Sequence, residues 1–242
     1  MEIFTQAGGA MVSRYGHYLS GVTWLGLLYY FNFVQVPSFA TLDPKARTAL
    51  VSKLVPRALW WFRWAAVMTL LTGVMILGFQ EQLAGGEYFK TTPGISISTG
   101  ILLALVMFAN VWMVIWPSQR IVVASAQRVE AGGEPDPSVA VAARRAFLAS
   151  RTNTFFSIPM LWFMGVTSHF AGLYDITPKG GSRGLYWLVT LVLVVGFELN
   201  GTGRIGGTGP GPTKSFLENH RTTIIAGFAL WGFYVILWEI LF

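Results

Sequence analysis

The sequence predicts an all-α integral membrane protein, a bundle of about six transmembrane helices with both termini on the periplasmic side. Three observations predict this fold class. Only 12% of the 242 residues are charged and 53% are hydrophobic, whereas soluble domains carry roughly 25% charged residues. The apolar residues form runs of about 20, the length that a helix needs to cross a bilayer core. Lysine and arginine concentrate in alternate loops. We therefore expect one multi-pass domain, residues 1–242, in the bacterial cytoplasmic (inner) membrane.

The apolar runs define six candidate spans along the chain. They cover residues 17–38, 59–80, 96–117, 153–173, 184–200 and 222–242. The third run, ISTGILLALVMFANVWMVIWP, and the last, TTIIAGFALWGFYVILWEILF, are the clearest, and the fifth is the shortest. Prolines fall at or near several span ends, where helices commonly stop; they are Pro37, Pro56, Pro117 and Pro178.

Charge in the short loops sets the predicted orientation. The loops after the first, third and fifth spans hold about three times as many lysines and arginines as the opposite side, which predicts that these loops face the cytoplasm. The N-terminal MEIFTQAGGAMVS lacks a basic region and a long apolar core, so we expect no cleaved signal peptide. The net charge of +6 lies in loops rather than on one basic face. The expected partner is therefore the lipid bilayer and not nucleic acid.

The residue types present exclude several kinds of chemistry. The chain has no cysteine, which excludes disulfides, thiolate metal sites, iron–sulfur clusters and covalently attached haem. It also has no HExxH motif and no carboxylate cluster with metal-ligand spacing. We therefore assign no catalytic residue. Asn32 and Asn110 lie deep within predicted spans, where we expect them to form hydrogen bonds across helices.

The positions of the histidines predict a cofactor site near the outer boundary. His17 opens a span that runs inward, and His169 lies about sixteen residues into a span that runs outward, or roughly 24 Å from its cytoplasmic end. His220 lies at the opposite end of the last span, where a helix-start or interfacial role is expected. Two imidazoles at one depth on separate helices can supply both axial ligands of a b-type haem. We predict that His17 and His169 bind the haem iron.

Neighbouring residues extend this predicted site. Gly21 and Trp24 share a helix face with His17, and a glycine one turn below a ligand lets a porphyrin approach the backbone. Arg14, one turn outward, is placed to pair with a haem propionate. Gly165 and Gly172 are similarly placed around His169. A different interpretation stays open, because histidines are common at membrane boundaries and glycines at this spacing also serve close helix packing.

A glycine-rich segment, NGTGRIGGTGPGPTK (200–214), precedes the last span. It lacks the GxxxxGK[ST] spacing of a phosphate-binding loop, and no strand pattern precedes it. We interpret it as a flexible connection or as a strap laid over a partner subunit.

Several segments together carry a family resemblance. They are RYGHYLSGVTWLGLLYYFNFVQVP, KLVPRALWWFRWAA, NVWMVIWPSQR, RRAFLASRTNTFFSIPMLWFM and SHF, which occur in this order between residues 14 and 170. The chain resembles the membrane domain of the bacterial membrane-bound urate oxidases (urate hydroxylases). The start of the first span is also similar to membrane protoporphyrinogen oxidases and copper-resistance membrane proteins, and this similarity implies haem b binding at His17. Urate oxidases of this type continue into a cytochrome c domain, which we expect to be absent because the chain has no cysteine.

Three functions follow from this reading of the sequence. The leading hypothesis is a membrane subunit of a bacterial redox system, which binds one haem b near the periplasmic face and passes electrons to a periplasmic cytochrome c or a larger membrane complex. An alternative is a non-catalytic accessory subunit that packs against a larger membrane complex. The third is a urate oxidase-like enzyme that uses a separate cytochrome c.

Overall fold

A computed structural model describes residues 2–170 and 178–242 of the chain, and its regular structure there is entirely helical. Six long helices follow one another: α1 (Gln6–Tyr29), α2 (Pro44–Phe79), α3 (Thr92–Glu130), α4 (Val139–His169), α5 (Gly180–Gly201) and α6 (His220–Leu241). Short helical turns occupy Glu2–Phe4, Tyr88–Lys90, Pro212–Lys214 and Ser215–Glu218. Each long helix overlaps one predicted span, so the all-α prediction is confirmed for the described residues.

Four of these helices, α2, α3, α5 and α6, are long and apolar enough to cross a membrane. Helices α1 and α4 do not meet that standard, so six spans and the orientation of the termini stay predictions. The polarity of α4 has a physical reason, because α4 packs against α1, α3, α5 and α6. Its buried side chains include Thr152, Asn153, Thr154 and Ser157. A helix enclosed by other helices can hold polar groups that lipid would not satisfy.

Three helices, α2, α3 and α4, extend well beyond their predicted spans on the side predicted to face the cytoplasm. Helix α2 begins at Pro44 rather than near residue 59, and the Asp43 side chain caps it by accepting hydrogen bonds from the Lys45 and Ala46 backbone N–H groups, both at 3.0 Å. Helix α3 continues to Glu130, whose carboxylate accepts a 2.5 Å hydrogen bond from the Ser52 hydroxyl of α2. Hydropathy marks where a helix enters lipid, and it does not mark where the helix ends.

Two prolines interrupt the regular hydrogen bonding of a helix without ending it. The chain is π-helical over Tyr30–Gln35, at the end of α1, and over Asn110–Ile115, inside α3. Pro37 and Pro117 each follow two residues after such a segment. A proline has no N–H to donate and its ring crowds the carbonyl one turn back, so the helix widens locally instead of stopping.

Both π-helical segments carry an asparagine that bonds to another helix. The Asn32 amide donates to the Ser150 hydroxyl at 2.8 Å. The Asn110 amide donates to Asn153 Oδ1 at 3.0 Å and to Glu198 Oε2 at 2.9 Å, which links α3 to both α4 and α5. The predicted hydrogen bonds across helices are therefore confirmed for both asparagines.

Candidate functional site

His17 lies in the interface between α1 and α2, where it is half-buried. Its Nδ1 is 2.9 Å from the Thr69 carbonyl oxygen and 3.3 Å from the Thr72 hydroxyl. The Thr72 hydroxyl itself donates to the Met68 carbonyl at 2.6 Å. A carbonyl can only accept, so Nδ1 carries the proton and donates it to Thr69. The neutral ring then has its lone pair on Nε2, which is the nitrogen available to a metal.

Glycines allow this close approach of α1 and α2. A Cβ at Gly73 would lie 3.3 Å from His17 Cε1 and 3.5 Å from Nδ1. A Cβ at Gly16 would lie 3.2 Å from the Thr72 methyl carbon. The imidazole therefore occupies the space that a side chain at Gly73 would take, and its ring position is set by α2.

His169 is the last residue of α4 and is exposed. Its Nδ1 lies 3.1 Å from the carbonyl oxygen of Gly165, one turn earlier in the same helix. The same reasoning assigns the proton to Nδ1 and the lone pair to Nε2. Within the described residues, neither histidine uses Nε2 in a hydrogen bond.

Each of the two histidines lies twelve residues along its helix from a hydrogen bond between α1 and α4. The hydroxyls of Tyr29 and Ser157 are 2.9 Å apart. Tyr29 follows His17 by twelve residues, and Ser157 precedes His169 by twelve residues. The bond from Asn32 to Ser150 lies three residues later on the side of α1 and seven residues earlier in α4, which shows that the two run antiparallel. Each histidine therefore lies about 18 Å beyond the Tyr29–Ser157 bond, towards the same end of the bundle.

The other predicted site residues occupy different kinds of environment. Arg14 is exposed and has no ion pair within residues 2–170 and 178–242. Trp24 is in the core, 1% exposed, and its buried Nε1 has no hydrogen-bond partner there. A Cβ added at Gly21 or at Gly165 would meet nothing within 4 Å. Gly172 lies outside the described residues.

A b-type haem with two histidine ligands requires an unprotonated nitrogen on each imidazole and space for the macrocycle beside them. Each histidine has an Nε2 without a described hydrogen bond, and each has a glycine with open space beside it one turn deeper in its helix. These features fit a pair of axial ligands. No described contact joins His17 to His169, since the His17 imidazole bonds to Thr69 of α2 and the His169 imidazole bonds to Gly165 of its own helix. No group of three or more His, Asp or Glu side chains that could hold a metal ion occurs among the described residues.

The residues that hold His17 were not predicted from the sequence. Thr69, Thr72 and Gly73 belong to the stretch TLLTG, which lies inside the second predicted span. Two threonines and a glycine together in an apolar helix are a signal of a close helix contact. At the opposite end of the bundle, His220 begins α6, but the capping side chain is that of Asn219, which accepts from the Arg221 N–H at 2.8 Å.

The glycine-rich segment folds onto this chain's own helices. Lys214 is fully buried, and its ammonium donates to Asn200 Oδ1 at 2.6 Å and to the Ile205 carbonyl at 2.8 Å. Gly203, Gly206 and Gly207 have positive φ angles, which let the loop wrap around that ammonium. The lysine therefore serves the loop's own fold and does not point outward to a phosphate.

The fold and the paired histidines define a class of protein, a helical protein of the membrane type with two available imidazoles at one end of its bundle. The family can also be stated. Residues 87–198 match the family described as urate oxidase N-terminal. For this segment, the match confirms the resemblance seen in the sequence. No curated protein and no solved structure matches the chain.

Proposed function

We propose that this protein is a membrane subunit of a bacterial redox system in the cytoplasmic membrane, with one b-type haem held by His17 and His169 near the periplasmic face. The observation that supports it most is the equal separation of both histidines from the Tyr29–Ser157 bond. The match to the urate oxidase N-terminal family supports an oxidoreductase system.

Each residue of the site has a definite task in this proposal. The Thr69 carbonyl accepts the Nδ1 proton of His17, which fixes the tautomer and leaves the Nε2 lone pair as the nitrogen that would hold a haem iron. The Gly165 carbonyl does the same for His169. Gly21 and Gly165 leave room for the edge of a flat macrocycle, and Arg14 offers a guanidinium to a propionate. The haem supplies reversible one-electron transfer.

The test is a pyridine haemochrome assay on protein purified from membranes of cells supplied with haem precursor. Wild type is expected to hold one b-type haem per chain, and His17→Ala and His169→Ala are each expected to lose most of it. His220→Ala is the matched control, because this histidine lies at the opposite end of the bundle, and it should keep its haem. A well-folded wild type without haem, or equal haem in all three variants, would refute the proposal.

A second candidate is favoured by the family match, namely an enzyme that oxidises urate and passes the electrons to a separate cytochrome c. Anaerobic addition of urate to the purified protein with oxidised cytochrome c would show it directly. Reduction of cytochrome c that requires urate and the wild-type chain supports this candidate. No reduction, with haem present, leaves an electron-transfer subunit whose donor is a different reductant.

A further inference from the structure

The buried arginine of α4 has no counter-charge of its own. Arg151 is 2% exposed, and its Nε and Nη1 are enclosed with no hydrogen-bond partner in the described part of the chain. Its guanidinium carbon lies 5.1 Å from the centre of the Phe147 ring. An aromatic face compensates only part of the cost of burying a charged group away from water.

The carboxylate that interacts electrostatically with Arg151 is that of Glu218, and it is already bonded to another arginine, Arg144. Glu218 accepts hydrogen bonds from both terminal nitrogens of Arg144, at 2.8 and 2.5 Å. These bonds, and after them the charge of Arg151, hold the pKa of Glu218 below its usual value. Glu218 is therefore bonded to Arg144, and within the described residues no carboxylate bonds to Arg151.

The surroundings of Arg151 add further positive potential. Helix α6 runs parallel to α4, because Gly227 lies beside Phe155 and Trp231 lies beside Trp162. The start of α6 at His220, seven residues before Gly227, therefore lies beside the part of α4 that holds Arg151, and it is the positive end of the helix dipole. The first N–H groups of a helix have no carbonyl partner within the helix. In α6, the Asn219 side chain accepts a hydrogen bond from one of them, that of Arg221. The ring centroids of His220 and Phe33 lie 6.2 Å apart, so one aromatic ring lies beside the start of α6.

Lys214 is also a buried cation, and its hydrogen bonding differs from that of Arg151. The ammonium of Lys214 has two oxygen partners within the chain and needs no further acceptor. Arg151 therefore differs from it in having enclosed donors that are free. A planar guanidinium with free donors, beside a helix N-terminus, is suited to bind two oxygens of one anion.

We propose that Arg151 and the start of α6 form a binding site for a phosphate group. Arg151 lies two residues before residue 153, where the fourth predicted span begins, so the niche is at the predicted level of the cytoplasmic headgroups. The phosphate group comes from an acidic phospholipid or from free phosphate. An anion there neutralises Arg151 and joins α4 to the start of α6.

The experiment uses the full-length protein in detergent and in phospholipid nanodiscs. In detergent, inorganic phosphate is titrated at constant ionic strength while the unfolding temperature is measured. In the lipid arm, native mass spectrometry counts phosphatidylglycerol retained from nanodiscs that contain it. Arg151→Gln removes the proposed ligand, and Arg145→Gln is the matched control, since it removes an equal charge from an exposed position on the same helix.

A saturable rise of the unfolding temperature in wild type and Arg145→Gln, absent in Arg151→Gln, identifies free phosphate as the source. Lipid retained by the same two proteins and lost from Arg151→Gln identifies the phospholipid. Arg151→Lys is expected to bind about tenfold more weakly, because an ammonium cannot form the paired bonds. Equal behaviour of all variants, or no response in either arm, overturns the proposal. If Arg151→Gln does not fold, undiminished binding by Arg151→Lys also overturns it.

Discussion

Replacing Gly73 by valine should dislodge the imidazole of His17. A Cβ at this position already lies 3.3 Å from His17 Cε1, and valine adds two methyl groups in the same interface. Overpacking costs about 1–3 kcal/mol, and loss of the 2.9 Å bond from His17 to Thr69 costs about 1 kcal/mol more. Valine returns a few tenths of a kcal/mol because it forms helix better than glycine. We therefore expect a loss of about 2–3 kcal/mol in the free energy of unfolding.

The control for this substitution lies one and a half turns further along α2. A Cβ at Gly78 meets nothing within 4 Å, so Gly78→Val should change stability by less than about 0.5 kcal/mol. The assay is equilibrium unfolding in mixed micelles, followed by tryptophan fluorescence, with haem content measured on the same samples. Gly73→Val should unfold at lower denaturant and retain less haem than Gly78→Val. Identical unfolding curves would refute the packing of His17 against α2.

Three further predictions test other contacts of the bundle. Gly227→Ala in α6 should destabilise the protein by about 1–3 kcal/mol, because its methyl would lie 3.0 Å from a backbone carbonyl oxygen of α4; Gly232→Ala, which meets nothing, should be neutral in the same thermal unfolding assay. Asn110→Leu should cost about 1–3 kcal/mol, since two buried acceptors lose their donor, and an unchanged unfolding temperature would contradict this. The lowered pKa of Glu218 contributes stability above its unfolded pKa of about 4.3, and this contribution is lost as the pH falls. Wild type should therefore lose more stability between pH 7 and pH 4 than Arg144→Gln, measured by thermal unfolding at both values.

Much of the architecture could be predicted from the sequence because apolar runs and lysine–arginine asymmetry are local signals. Each of the six predicted spans lies within or across one long helix. The ends of the helices were less predictable, as the start of α2 at Pro44 shows. Prolines near span ends suggested helix ends, but Pro117 follows a π-helical segment inside α3 and Pro56 lies inside α2. Whether a proline ends or widens a helix depends on the neighbouring helices that the local sequence does not reveal.

The candidate site was predictable only in part, for a geometric reason. Counting residues along antiparallel spans predicts one level for His17 and His169, and each lies twelve residues from the Tyr29–Ser157 bond. The direction of each ring depends on which helix packs beside it, and periodicity does not encode that choice. The carbonyl of Thr69, a backbone atom, holds His17 and leaves no mark in the residue types. The unpaired state of Arg151 was equally hidden, since sequence cannot show that Arg144 takes Glu218.

The most direct test of the haem proposal is the low-temperature electron paramagnetic resonance spectrum of the oxidised protein. Two imidazoles as axial ligands predict a low-spin ferric signal in wild type, and His17→Ala and His169→Ala should each lose it or convert it to high spin. His220→Ala should give the wild-type spectrum. A wild-type spectrum without a low-spin ferric signal, or one unchanged by both substitutions, would contradict the assignment of these two histidines.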